Sequence, residues 1–88
     1  MEQYDVRFLE EALADLEEIV MYIAQDSHAA SLRMHDEIMD RISDLAVLPR
    51  RGRPVPDAKM SKAGYRMLFM KPYIAFYRII DDTVFIYR

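Results

Sequence analysis

The residues most capable of chemistry crowd into one stretch. Between positions 49 and 71 stand Arg50, Arg51, Arg53, Lys59, Lys62, Arg66 and Lys71 beside a single acid, Asp57, with Arg78 following shortly after. Tyr65, Tyr73 and Tyr77 are interleaved with them. Cationic groups neutralise phosphates and aromatic rings stack on bases, so the mixture suits single-stranded RNA. The same groups could support metal-free RNA cleavage. There a 2′-hydroxyl attacks the adjacent phosphate, fixed Arg or Lys donors stabilise the extra charge, and a Tyr, Lys or Glu moves the proton. The bland alternative is a solvated basic loop whose tyrosines belong to a sheet core.

Other chemistries find little support. His28 and His35 are seven residues apart, and His35-Asp36-Glu37 are consecutive, so on a helix they fan out instead of converging on a metal. No Gly-rich phosphate loop and no serine elbow occurs. The carboxylate pairs Glu10-Glu11, Glu17-Glu18 and Asp81-Asp82 read as solvated helix faces and a turn. No cysteine is present, which removes thiol chemistry and disulfides. No metal and no cofactor is expected.

Charge is divided along the chain. Residues 1–48 hold three basic side chains against twelve acids, and residues 49–88 hold nine against three. Such a division predicts separate electrostatic roles for two surfaces, and an acidic partner chain or a polyanion for the basic one. At 52% hydrophobic and 31% charged, 88 residues make one compact domain, 1–88, with one core. No apolar run approaches a membrane span and the N-terminus has no signal-peptide pattern, so a soluble cytoplasmic protein is expected.

The elements that must carry the basic residues follow from periodicity. QYDVRF (3–8) alternates like a half-buried strand. Leu9, Ala12, Leu13, Leu16, Ile19, Val20 and Ile23 predict an amphipathic helix over 9–25. Asp26 or Ser27 can cap a second helix, whose stripe Ala30, Met34, Ile38, Ile42, Leu45 and Leu48 runs to a stop at Pro49. The short connection makes the two an antiparallel hairpin. Residues 49–62 read as an irregular, Pro-rich loop. Three strands follow, at 65–70, 73–80 and 83–88, with Asp81-Asp82 as a tight turn and a different turn at Lys71-Pro72. The order β-α-α-β-β-β predicts an α+β fold of two layers, a helical hairpin on one face of a mainly antiparallel sheet. The other face stays bare.

This order, with a helix ending in LAVLPRRGRPVP, a strand GYRMLF and a hairpin YIAFYRIIDDTVFIYR, resembles the RelE/ParE superfamily of type II toxin–antitoxin toxins, also described as plasmid stabilisation proteins. The resemblance covers nearly the whole chain. It implies a RelE/ParE-like fold and a small growth-inhibiting toxin held inactive by a cognate antitoxin, whose acidic tail would meet the 49–71 cluster. It also implies a homodimer or a toxin–antitoxin hetero-oligomer as the assembly. ParE-like members inhibit DNA gyrase by binding. RelE-like members cleave mRNA on the ribosome with basic residues of the central strands. Under the RelE-like alternative, Arg66, Lys59, Lys62 and Tyr65 are the candidate catalytic residues. Leu68 and Ile74, however, stand where RelE-like chains carry Lys and Arg, and the segment with the remaining catalytic groups would begin just after Arg88. These departures favour a binding surface for target or antitoxin made of Arg50, Arg51, Arg53, Lys71, Ile74, Phe76 and Arg78. A third reading is a toxin that retains only antitoxin binding.

Overall fold

The computed structural model describes residues 3–88. Strand β1 (Asp5–Phe8) leads into helices α1 (Glu10–Ala24) and α2 (His28–Ser43). A short strand β2 (Arg53–Pro54) and a short helix α3 (Ala58–Lys62) follow. Then come β3 (Tyr65–Met70), β4 (Tyr73–Ile80) and β5 (Thr83–Ile86). The sheet order is β1-β5-β4-β3-β2, with β1 parallel to β5 and every other pair antiparallel. None of the described helices is long and apolar enough to cross a membrane.

Local chemistry accounts for most element boundaries. Ser27 caps α2, its hydroxyl accepting the Ala30 N–H at 3.1 Å. Glu10 and Glu11 fall in the first turn of α1, where the helix dipole favours negative charge. Asp81, with φ 54°, turns the β4–β5 hairpin; Asp tolerates the left-handed region better than most residues. The Lys71–Pro72 bond between β3 and β4 is cis.

Two expectations need correction. The second helix does not continue to Leu48. It ends at Ser43, whose hydroxyl bonds back to the Asp40 carbonyl, and tightens into a 3₁₀ turn over Asp44–Ala46. The tightening carries Leu45 into the core and leaves Val47 and Leu48 exposed. Nor is the 49–62 segment wholly irregular. Arg53 and Pro54 pair with Met67 and Arg66 as an edge strand, where a proline is tolerated. Asp57 then caps α3, accepting the Lys59 and Met60 N–H groups. Gly64, at φ 93°, closes that helix in a conformation that favours glycine.

The core lies between the helical hairpin and one face of the sheet. Ala12, Ile38, Ile42 and Leu45 from the helical layer meet Leu68, Met70, Ala75, Tyr77, Val84 and Ile86 from the strands. Those sheet residues share one parity in each strand. The opposite parity, residues 65, 67 and 69, 74, 76 and 78, and 83 and 85, therefore faces away from the helices. The architecture is α+β, in two layers, with one sheet face bare.

Just before the edge strand β2, Gly52 approaches its neighbours closely. A Cβ there would meet the Met67 carbonyl oxygen at 2.5 Å and the Tyr77 hydroxyl at 2.6 Å. Gly52→Ala is expected to lower the unfolding free energy by about 1–3 kcal/mol through the forced displacement. Urea denaturation should show a lower midpoint at unchanged slope; an unchanged midpoint would mean that this contact yields freely.

Candidate functional site

The basic segment is fastened to the helix-side face of the sheet by two side chains. The Tyr77 hydroxyl, fully buried, donates to the Pro49 carbonyl at 2.8 Å and accepts the Gly52 N–H at 2.9 Å. Arg66 lies on the same face, since it pairs in register with Tyr77. Its Nε donates to the Gly52 carbonyl at 3.0 Å and its Nη2 to the Arg50 carbonyl at 3.2 Å. Backbone groups that Pro49, Arg50 and Gly52 could not satisfy among themselves thus find partners in β3 and β4. One ion pair, Arg51 to Asp44 at 3.1 Å, ties the segment to the end of the helical hairpin. Arg50, Arg51 and Arg53 remain exposed, and beside them α3 presents Lys59 and Lys62 one turn apart.

The bare face of the sheet is built in rows set by strand register. Arg7, Phe85, Arg78 and Tyr65 stand opposite one another across β1, β5, β4 and β3. A second row runs Phe76, Met67, Arg53, and a third pairs Ile74 with Phe69. Arg78 is held in place: its Nε donates to the Ala63 carbonyl at 2.7 Å and its guanidinium lies 5.1 Å from the Tyr65 ring centre. Tyr65 in turn packs at 5.3 Å against Tyr87. Phe69 and Ile74, 48% and 41% exposed, extend the face as an apolar tract towards the β3–β4 turn. Among the described residues, Arg7, Arg53 and Arg78 have no ion-pair partner.

The expected site residues therefore divide. Ile74, Phe76, Arg78 and Arg53 come together on the bare face, with Tyr65 among them. Arg50, Lys59 and Lys62 are exposed on the adjoining segment, and Arg51 turns instead to Asp44 at the end of the helical hairpin. Lys71 stands at the far end of the same face, beside Phe69 and Ile74. It follows Met70 at the far turn, four residues beyond the Met67 that pairs with Arg53, about 13 Å along the strand. Arg66 departs most from expectation: its guanidinium is on the helix side, not on the solvated face, and holds backbone carbonyls. Of the interleaved tyrosines only Tyr65 reaches the bare face, while Tyr73 and Tyr77 pack with the core. Arg7, Met67, Phe69, Phe85 and Tyr87 belong to the face without having been singled out. Alternation within β1 and β5 marks their parity, but the parallel pairing of β1 with β5 is a long-range fact.

Chemically, the arrangement offers fixed cations around an apolar, aromatic floor. It is suited to a partner that brings acids and apolar side chains together. Leu68 is in the core, and Arg66 and Tyr65 point to opposite faces. Among the described residues no three His, Asp or Glu side chains could hold a metal ion.

A protein-family model described as "ParE toxin of type II toxin-antitoxin system, parDE" matches residues 6–88. A search of curated proteins finds no match. Among solved structures, a chain of "Chromosomal ParDE TA system from P. aeruginosa" superposes with a TM-score of 0.77 at 21% identity, over 98% of this chain and 92% of that one. That likeness is one of fold.

The two carbonyl contacts of Arg66 make a stability prediction. Arg66→Ala should destabilise the fold by about 1–3 kcal/mol and speed amide exchange in residues 50–53. Arg66→Lys, a point donor without the guanidinium fork, should recover only part of the loss. Unaltered exchange in Arg66→Ala would show that the segment is held without it.

Proposed function

The chain belongs to the ParE toxin family of type II toxin–antitoxin systems, and from that membership and the bare sheet face we propose that it arrests growth by binding, not by cutting RNA. The target is DNA gyrase, as for ParE-like toxins, and the contact surface is the face carrying Arg53, Arg78, Ile74 and Phe76 with the adjoining cations Arg50, Lys59 and Lys62. A cognate antitoxin neutralises the toxin by laying an acidic, partly apolar segment over that same surface. The toxin acts in the cytoplasm, where its target is.

One observation carries this reading: Arg53 and Arg78, without ion-pair partners among the described residues, frame exposed apolar side chains on the sheet face that the helices leave bare. A phosphate-cleaving centre would need donors converging from the central strands. Here Leu68 is buried, Ile74 is apolar, and Arg66 points to the helix side with two of its N–H groups engaged by carbonyls. Each missing transition-state donor costs about 10²–10³ in rate. Acidic antitoxin residues would find Arg78 already held by the Ala63 carbonyl, which favours affinity through preorganisation. A second copy docking the same face two-fold would set these cations against themselves, so the hetero-complex is the favoured assembly.

The test is expression without antitoxin, followed by assays on the purified toxin. Growth arrest with blocked gyrase supercoiling and uncut mRNA on programmed ribosomes is expected. Codon-positioned cuts would instead favour the RelE-like reading, and normal growth a toxin reduced to antitoxin binding. In the wild-type background, Phe76→Asp combined with Arg78→Glu should weaken antitoxin binding by about 1.4–2.7 kcal/mol, roughly ten- to hundredfold in Kd. The wild-type affinity should fall as ionic strength rises. Isothermal titration over a salt series reads both effects.

A further inference from the structure

The helical hairpin has a surface of its own, on the side away from the sheet. Leu13, Leu16, Val20 and Met21 recur at helical spacing along α1, and with Glu17 and with His35 of α2 they line an open groove between the helices. Met21 is 69% exposed and Leu13 49%. Leu32, also exposed, precedes His35 by three residues and so neighbours it on α2. Ala12, Leu16 and Ile19 already turn α1 towards the core. The helix is thus apolar around more of its circumference than packing against this sheet requires.

The charge at this groove is negative. Glu17 lines it, and Glu10, two turns earlier on α1, shares its side, while Asp15 and Glu18 of the same helix border other surfaces. Of the acids on α1, only Asp15 has an ion-pair partner among the described residues, Arg88 at 3.5 Å. On α2, His35 lies 3.4 Å from Asp36. Nucleic acid and anionic lipid surfaces would be repelled by such a rim. Two copies meeting groove to groove would oppose the same acids.

We infer that the groove between α1 and α2 receives a basic amphipathic helix of another protein. Its apolar stripe enters beside Leu13, Val20 and Met21, and its Lys or Arg side chains meet Glu10 and Glu17. This is helix-in-groove recognition with anchors at three- and four-residue spacing, and charge complementarity gives it direction. The surface lies on the opposite side of the molecule from the bare sheet face and has the opposite sign. Neither its chemistry nor its test depends on toxicity.

The probe is a synthetic peptide of about five helical turns with leucines on one face and lysines elsewhere. The controls are a scrambled peptide of the same composition and a Leu/Glu counterpart. The Leu/Lys peptide should bind and shift the backbone NMR signals of residues 13–21, Leu32 and His35. Met21→Lys and Glu17→Lys, both at exposed positions, should each weaken it about tenfold, while Phe76→Asp on the sheet face leaves it unchanged. Four results would overturn the inference. These are equal binding of either control, shifts centred on the strands, full affinity in folded Met21→Lys, or self-association that Met21→Lys abolishes. The last would assign the groove to a second copy.

Discussion

The Tyr77 hydroxyl sits inside the molecule and is fully satisfied there, donating to Pro49 and accepting from Gly52. That pair of bonds decides where the protein's positive charge is mounted. The chain between Pro49 and Gly52 belongs to neither a helix nor a strand, so its backbone groups have no regular ladder to join. Left unpaired in a buried setting, each would cost about 1–3 kcal/mol. The hydroxyl of β4 and the guanidinium of β3 supply the missing partners from one face of the sheet. Gly52 permits the approach because it has no Cβ to collide with Met67 and Tyr77. The arginines of this segment consequently project from a fixed backbone, not from a mobile loop.

Strand parity then separates two kinds of work. In β4 the odd positions 73, 75, 77 and 79 pack with the core, and the even positions 74, 76 and 78 face outward. β3 is offset by one residue, so 68 and 70 go inward while 65, 67 and 69 go outward. A shift of one residue in the β3–β4 register would exchange the two sets and bury Arg78 in place of Tyr77. The same parity explains why adjacent residues differ so much in role. Tyr65 joins an aromatic–cation group on the bare face, whereas Arg66 is a brace for the basic segment.

Much of this architecture was legible in the sequence because local periodicity carries it. The stripe on α1, the alternation of β4, the Ser27 cap and the turn at Asp81-Asp82 are local patterns, and each is where the pattern puts it. What escaped depends on contacts across the chain. Arg66 finds its acceptors 14 and 16 residues earlier, and nothing in the local string RML distinguishes a brace from a phosphate ligand. β2 is two residues long and contains a proline, so its pairing arises from β3 and not from propensity. α3 had a readable signal in Asp57, a capping residue before AKMSK, masked by the surrounding prolines. Arg7 reaches the bare face only because β1 lies parallel to β5, at the far end of the chain.

An 88-residue chain buries a modest share of its surface, and among the described residues ten large apolar side chains remain substantially exposed. They are not scattered evenly. Leu13, Met21 and Leu32 belong to the hairpin, whereas Phe69 and Ile74 belong to the bare sheet face, and Val47, Leu48 and Met60 flank the basic segment. Any partner that covers such a patch in the folded chain alone shifts the folding equilibrium by RT ln(1 + [L]/Kd), so occupancy and stability rise together. The hairpin is rimmed by acids and the sheet face by cations, and the two lie on opposite sides of a thin two-layer molecule. Partners of opposite charge can therefore occupy both at once, each adding its own increment to stability without competing for the same side chains.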